Sequence, residues 1–146
     1  LPLRHLTATL EYTRINPFVY DNYIPMQTYQ NHGFNLGHWM GNNADQWYGA
    51  LNYRVLRGLQ ARVSVQKIRK ADLIDRVWQI DNRRAQPEFL FGKNRRDYTM
   101  IGADLRYELT HDLFLRFDYW FQRETRPETG ARQTTRQATA TVSYGF

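Results

Sequence analysis

Hydrophobic residues occupy every second position in six segments of this chain. The last segment is the clearest, because Ala138, Ala140, Val142 and Tyr144 alternate with polar or small residues. Successive side chains of a strand point to opposite faces of a sheet, so this period of two predicts strands with one apolar face. The six predicted strands cover about residues 3–13, 45–55, 58–68, 97–108, 113–123 and 133–146.

The connections between these segments alternate between short and long. Short turns are predicted near residues 56 and 110, and long loops at about 14–44, 70–96 and 124–132. Outer-membrane β-barrels have this arrangement, and a tilted strand of ~9–11 residues crosses their bilayer. We therefore predict an all-β fold, a transmembrane antiparallel up-and-down β-barrel of which residues 1–146 form the six C-terminal strands. Because such barrels have at least eight strands, we expect upstream sequence or other chains to complete the wall.

Aromatic residues lie near both ends of the predicted apolar faces, as they do at the two membrane interfaces of outer-membrane barrels. We predict a lipid-facing girdle formed, near the outer level, by Tyr12, Trp47, Tyr119 and Phe121 and, near the periplasmic level, by Tyr53, Tyr107, Tyr144 and Phe146. The charges fall on the opposite face, where the predicted lumen-facing residues are Glu11, Arg54, Arg62, Asp104, Arg106, Glu108, Arg116 and Asp118. A soluble β-sandwich is the alternative, but it would not be expected to sort its loops by length.

Composition excludes several other classes of protein. Aromatic residues make up 15% of the 146 residues, a density that argues against disorder. No run approaches the ~18 apolar residues that a membrane helix requires, which excludes a helical membrane protein. Cysteine is absent, so the chain has no disulfide framework and no thiolate metal site.

No motif predicts catalysis, a metal site or a cofactor. The four histidines show no ligand spacing, and the chain lacks a P-loop, a nucleophile elbow and a dinucleotide fingerprint. A hydrolase would need a set at the rim such as His38, Asp45 and Ser64, although nothing in their spacing favours it. Basic pairs between residues 69 and 96 are interpreted as a solvated loop that faces anionic lipopolysaccharide, and we expect no nucleic-acid partner.

The most specific stretch lies in the first long loop and its flanks. It comprises Glu11-Tyr12-Thr13-Arg14-Ile15-Asn16-Pro17, then Leu36-Gly37-His38, and then Gly41-Asn42-Asn43-Ala44-Asp45-Gln46-Trp47-Tyr48. This stretch resembles the Wzi-type capsule assembly family over residues 11–54. The terminal Tyr144-Gly145-Phe146 looks like the signal by which the barrel assembly machinery recognises outer-membrane barrels.

The resemblance implies a many-stranded barrel that holds surface polysaccharide at the cell without catalysis. The loop chemistry is compatible, because aromatic rings can stack on sugars and amides can bond their hydroxyls. The candidate glycan-binding residues are Tyr20, Tyr23, Tyr29, Asn31, His38, Trp39, Asn42 and Asn43. The alternative for each of them is a loop residue that packs on the loop itself or plugs the lumen.

The expected function is therefore a non-catalytic outer-membrane barrel that binds or anchors capsular polysaccharide. The expected partners are outer-membrane lipid, lipopolysaccharide and the polysaccharide itself, with long loops outside the cell and the C-terminus in the periplasm. Two other functions stay open. A substrate-selective porin would line an open channel with the same charges, and an outer-membrane hydrolase would depend on a rim residue such as His38 or Asp45.

Overall fold

A computed structural model describes residues 5–20, 30–31, 34–35, 37–72, 88–90 and 92–145 of the chain. Its strands are β1 (Leu6–Ile15), β2 (Gln30–Asn31), β3 (Phe34–Asn35), β4 (Ala44–Leu56), β5 (Leu59–Asp72), β6 (Lys93–Thr110), β7 (Leu113–Thr125) and β8 (Arg132–Tyr144). No helix within these ranges is long and apolar enough to cross a membrane.

The six long strands form one antiparallel sheet in the order β1-β4-β5-β6-β7-β8. Each strand pairs with the next long strand along the chain, so the predicted six-stranded up-and-down arrangement is confirmed. The sheet is open, because no described residue pairs β1 with β8. The short strands β2 and β3 pair with each other inside the first long connection, where only a loop was predicted.

Both short connections lie at the same end of the sheet. Residues 57–58 join β4 to β5, and residues 111–112 join β6 to β7. Gly58 has φ 84° and Asp112 has φ 66°, a left-handed conformation that glycine adopts freely and that Asp tolerates better than most residues. The connection between β7 and β8, residues 126–131, lies at the opposite end with the two longer ones.

Two strands run further than their hydrophobic pattern predicts. Strand β5 continues to Asp72 and β6 begins at Lys93, so the predicted loop at 70–96 is shorter at both ends. Lys70 pairs with Arg96 across the two strands, and Arg96 Nη2 donates to Asp72 Oδ1 at 2.6 Å. Backbone pairing and an ion pair extend this hairpin where apolar alternation has ended.

One face of the sheet is apolar and exposed along its length. A single cross-strand row of this face contains Ala8, Leu51, Val63, Ala103, Tyr119 and Ala138. Leu10 is 78% exposed and Val142 is 70% exposed. Leu51 and Val63 are cross-strand neighbours on this open surface, and both are about half exposed. Their side chains do not converge with the other apolar residues of this face into a buried core. We call this surface the apolar face.

The described girdle aromatics all lie on the apolar face. Tyr12 and Trp47 are cross-strand partners whose ring centroids are 4.6 Å apart. Phe121 is the last apolar residue of β7 before Arg123 on this face, and Tyr119 lies one position further from that end. Tyr53, Tyr107 and Tyr144 occupy the half nearer the short turns, and Phe146 is outside the described residues.

The register places all eight predicted lumen-facing charges together on the opposite face, which we call the polar face. A small buried cluster lies there at the end with the long connections. It contains Ile15, Met40, Ala44 and Ile68, with Tyr20, Tyr98 and Met100 packed against it. The segment around Met40 therefore folds back onto the sheet and covers one end of the polar face.

Candidate functional site

A groove centred on Trp120 lies on the polar face. It has a volume of about 460 Å³ and extends across β4, β5, β6, β7 and β8. Gly102 is the cross-strand partner of Trp120, and a Cβ built on Gly102 would lie 3.3 Å from the indole ring. The indole therefore lies over a position without a side chain, a common use of an aromatic residue beside a glycine in a sheet.

Charged and polar groups surround this indole. Arg116 Nε donates to Asp104 Oδ2 at 2.9 Å, and Arg116 Nη2 donates to Asp118 Oδ1 at 2.8 Å. On the neighbouring strands, Arg62 Nη2 donates to the Tyr48 hydroxyl at 2.7 Å. Carboxylates and guanidinium groups held in place beside an aromatic ring match a polyhydroxylated ligand, because each hydroxyl both donates and accepts hydrogen bonds.

A second, smaller pocket lies between the groove and the segment around Met40. It has a volume of about 180 Å³ and is lined by Trp39, Met40, Ile68, Lys70, Tyr98 and Met100. Trp39 is 65% exposed, whereas the next residue, Met40, is 2% exposed and packs on the sheet. Lys70 Nζ donates to the carbonyl oxygen of Met40 at 2.7 Å, which fixes the segment over the strand ends.

The two pockets share Met100 and therefore adjoin on the polar face, and we call them together the track. Trp39 lies at the end with the long connections, and Trp120 lies further along the sheet. Between them the track passes Tyr98 and Met100, which offer apolar surface of the kind that stacks on sugar rings.

Several predicted glycan-binding residues instead hold the first long loop together. The Tyr20 backbone N–H donates to Asn42 Oδ1 at 2.8 Å, and the His38 backbone N–H donates to the Tyr20 hydroxyl at 3.1 Å. A Cβ on Gly37 would lie 2.4 Å from the Tyr20 ring, so this ring packs against the loop backbone. Tyr20 and Asn42 are half-buried, and Trp39 is the most exposed of the candidates whose side chains the structure describes.

Asn43 takes no part in the candidate site, because its side chain is fully buried. Its Oδ1 accepts from the Leu90 backbone N–H at 2.8 Å, and its Nδ2 donates to the Ala71 carbonyl oxygen at 3.2 Å. The residue has φ 57°, a conformation that Asn adopts more readily than most residues. Asn43 joins three segments of the chain and is removed from the glycan-binding candidates.

Other predicted candidates cannot be placed. Tyr23 and Tyr29 lie outside the described residues, and only the backbone of Asn31 is described, as part of β2.

His38 is half-buried, and its Nδ1 accepts from the Met40 backbone N–H at 3.3 Å. Its ring lies beside Trp39, with 5.8 Å between the ring centroids. His38 therefore lies beside Trp39, which lines the end of the track near the long connections.

The hydrolase set imagined from the sequence is not assembled. Asp45 lies on the apolar face, where its carboxylate is bonded by Arg69, whereas Ser64 lies on the polar face beside Gly102. The sheet separates the two side chains, so they cannot act on one substrate. Among the described residues there is also no cluster of three His, Asp or Glu side chains that would hold a metal ion.

The sequence analysis missed Trp120 as a site residue, although a signal was present. Trp120 stands among Arg116, Asp118 and Gln122 on the polar positions of β7, where a large aromatic residue is out of place. Tyr48 and Tyr98 interrupt the polar alternates of β4 and β6 in the same way. Aromatic rings at the polar positions of these strands therefore mark the candidate groove in the sequence.

Comparisons with family models, with curated proteins and with solved structures find no match to this chain. The candidate site is therefore interpreted from its own geometry.

Proposed function

We propose that this chain forms part of the wall of an outer-membrane β-barrel and binds surface polysaccharide on its polar face without catalysis. The proposal rests above all on the two unlike faces of a single sheet. Large apolar side chains such as Leu10 and Val142 are exposed on one face, and paired charges occupy the other. Exposed apolar surface on this scale needs a cover, and acyl chains supply it in outer-membrane barrels.

The track on the polar face supports polysaccharide as the ligand. Trp39, Tyr98 and Trp120 offer successive flat surfaces, and Arg62, Asp104 and Asp118 offer hydrogen-bonding groups in the next cross-strand row beyond Trp120. Each contact is weak, but contacts with successive units of one polymer act together and retain it. In this proposal the long connections face outside, and the end of the sheet with the short turns faces the periplasm.

The placement of the apolar face in lipid is tested by labelling. The chain contains no cysteine, so single cysteines at each of residues 61–66 can carry a nitroxide label without background. With the completed barrel in lipid vesicles, we expect labels at Ala61, Val63 and Val65 to be relaxed by oxygen, and labels at Arg62, Ser64 and Gln66 by a water-soluble nickel chelate. If the apolar face packs on protein in a soluble sandwich, labels at 61, 63 and 65 are shielded from both reagents.

The role of Trp120 is tested by substitution with alanine. Removal of the indole is expected to weaken binding of the native surface polysaccharide by about tenfold, which corresponds to ~1.4 kcal/mol. Phe117→Ala is the matched control, because Phe117 lies on the same strand but on the apolar face. Isothermal titration in detergent measures both, and equal loss in the two variants would contradict a glycan surface around Trp120.

A substrate-selective porin is the second candidate, and the open groove around Trp120 favours it. The pocket of about 460 Å³ is lined by Arg62, Asp104, Arg116 and Asp118, charges of both signs that would line the channel of a porin. Conductance across planar bilayers separates the two functions. A steady ion current that the polysaccharide does not block would favour the porin.

A further inference from the structure

Three basic side chains lie where the apolar face ends, towards the long connections. Lys67 on β5, Arg123 on β7 and Arg136 on β8 are the next residues on this face beyond Val65, Phe121 and Ala138 in the direction of the long connections. All three basic residues are exposed. We call them the basic boundary.

The register and the ring contacts hold these residues close to one another. Lys67, Thr99, Arg123 and Thr134 form one cross-strand row. Neighbouring strands are ~4.8 Å apart, so the backbones of Lys67 and Arg123 are separated by about 10 Å. The Arg123 and Arg136 guanidinium carbons lie 5.5 Å and 5.9 Å from the centroid of the Phe121 ring, within cation–π range.

No described carboxylate neutralises the basic boundary. The carboxylates on the apolar face nearby belong to Asp45 and Asp97, and both have other partners. Asp45 accepts from Arg69 Nε at 2.9 Å, and Asp97 accepts from Arg95 through two bonds of 2.9 Å. Positive charge thus remains directly beside Val65, Ile101 and Phe121, at the margin of a wide apolar surface.

We propose that the basic boundary binds the phosphate groups of an anionic phospholipid or glycolipid headgroup whose acyl chains lie along Val65, Ile101 and Phe121. The proposal rests on the proposed function, because it requires the apolar face to lie in lipid. Arginine forms paired hydrogen bonds with phosphate, lysine adds a point charge, and the hydroxyls of Thr99 and Thr134 add donors between them. The cation–π contacts orient the arginines at the surface where the headgroup would lie.

The position of the basic boundary favours lipid over an acidic polysaccharide. It lies on the opposite face of the sheet from Trp120 and its groove. A ligand that contacts both the charges and the apolar rows below them must itself be charged at one end and apolar at the other. A membrane lipid has this form, and a soluble polymer does not.

The experiment measures binding of diphosphorylated lipid A to the purified protein in a zwitterionic detergent by native mass spectrometry. The variant is Lys67→Gln/Arg123→Gln/Arg136→Gln, and the matched control is Arg54→Gln/Arg57→Gln/Arg106→Gln, which removes the same charge elsewhere. We expect affinity to fall on the order of 100-fold in the variant and to be little changed in the control, because each basic residue near an anionic surface contributes separately. Lipid A without its phosphates is expected to bind the native protein and the variant equally weakly.

Several results would overturn this inference. They are an equal loss in the control, an equal affinity for lipid A without phosphates, and displacement of lipid A by inorganic phosphate or by acidic polysaccharide at similar concentration. If the triple variant does not fold by circular dichroism, Lys67→Gln and Arg136→Gln are measured singly, each with an expected loss of about fivefold. The labelling pattern at residues 61–66 in vesicles is recorded in parallel. If labels alternate but lipid binding is unchanged, the basic boundary alone is refuted, whereas labels that do not alternate refute the proposed function.

Discussion

Ala8→Lys is expected to lower the free energy of unfolding in a phospholipid bilayer by about 2–4 kcal/mol, the penalty for a lysine near the bilayer midplane. Ala8 lies in the row of Leu51 and Val63, well inside the apolar face. A lysine there loses its hydration without gaining a carboxylate partner. Reversible unfolding by guanidinium in vesicles gives the free energy directly.

The control for this substitution is the next residue along β1. Thr9→Lys introduces the same charge on the polar face, two positions from Glu11, and is expected to change the free energy of unfolding by less than about 0.5 kcal/mol. Equal penalties at positions 8 and 9 would contradict a sheet with lipid on one side and a hydrated lumen on the other.

Asn43→Ala is the second substitution with a large expected effect. It removes the acceptor of the Leu90 N–H and the donor to the Ala71 carbonyl, and each buried group left without a partner costs about 1–3 kcal/mol. Alanine is also disfavoured at φ 57°. We expect a lower midpoint of guanidinium unfolding and faster hydrogen exchange at the Leu90 amide.

Two other variants separate the causes of this loss. Asn43→Gly removes both side-chain bonds but tolerates the positive φ, so it should be less destabilising than alanine by about 1 kcal/mol. Asn43→Asp keeps the acceptor for Leu90 but loses the donor and places a buried carboxylate beside the Ala71 carbonyl oxygen, so it should be at least as destabilising as alanine. Reduced polysaccharide binding without a change in stability would show instead that Asn43 contacts the ligand.

The sheet was largely predictable because its faces differ so clearly. Alternation at residues such as Leu113, Leu115 and Phe117 fixes which side chains share a face, and turn chemistry at Gly58 fixes how two strands join. The ends of β5 and β6 were not predictable, because Lys70 and Arg96 break the apolar pattern while their backbones continue to pair. Backbone hydrogen bonds between strands do not require apolar side chains, so the hydrophobic pattern of the sequence does not reveal them.

The candidate site was less predictable than the sheet. The sequence does not show whether the side-chain amide of an asparagine is exposed to a ligand or buried, and the structure shows that Asn43 is buried. The groove depends on Trp120 lying over Gly102, residues that are 18 positions apart and meet only through the register of β6 and β7. Only the strand pairing shows that the absent side chain of Gly102 leaves space for this indole.

The open sheet bears on how such a protein would enter a membrane. The outer edges of β1 and β8 carry backbone N–H and C=O groups that no described residue satisfies, and each such group costs several kcal/mol in hydrocarbon. These six strands therefore cannot cross a bilayer alone or one hairpin at a time. In the proposed barrel, we therefore expect insertion to occur together with the pairing of these two edges, as one cooperative event without a populated half-inserted species.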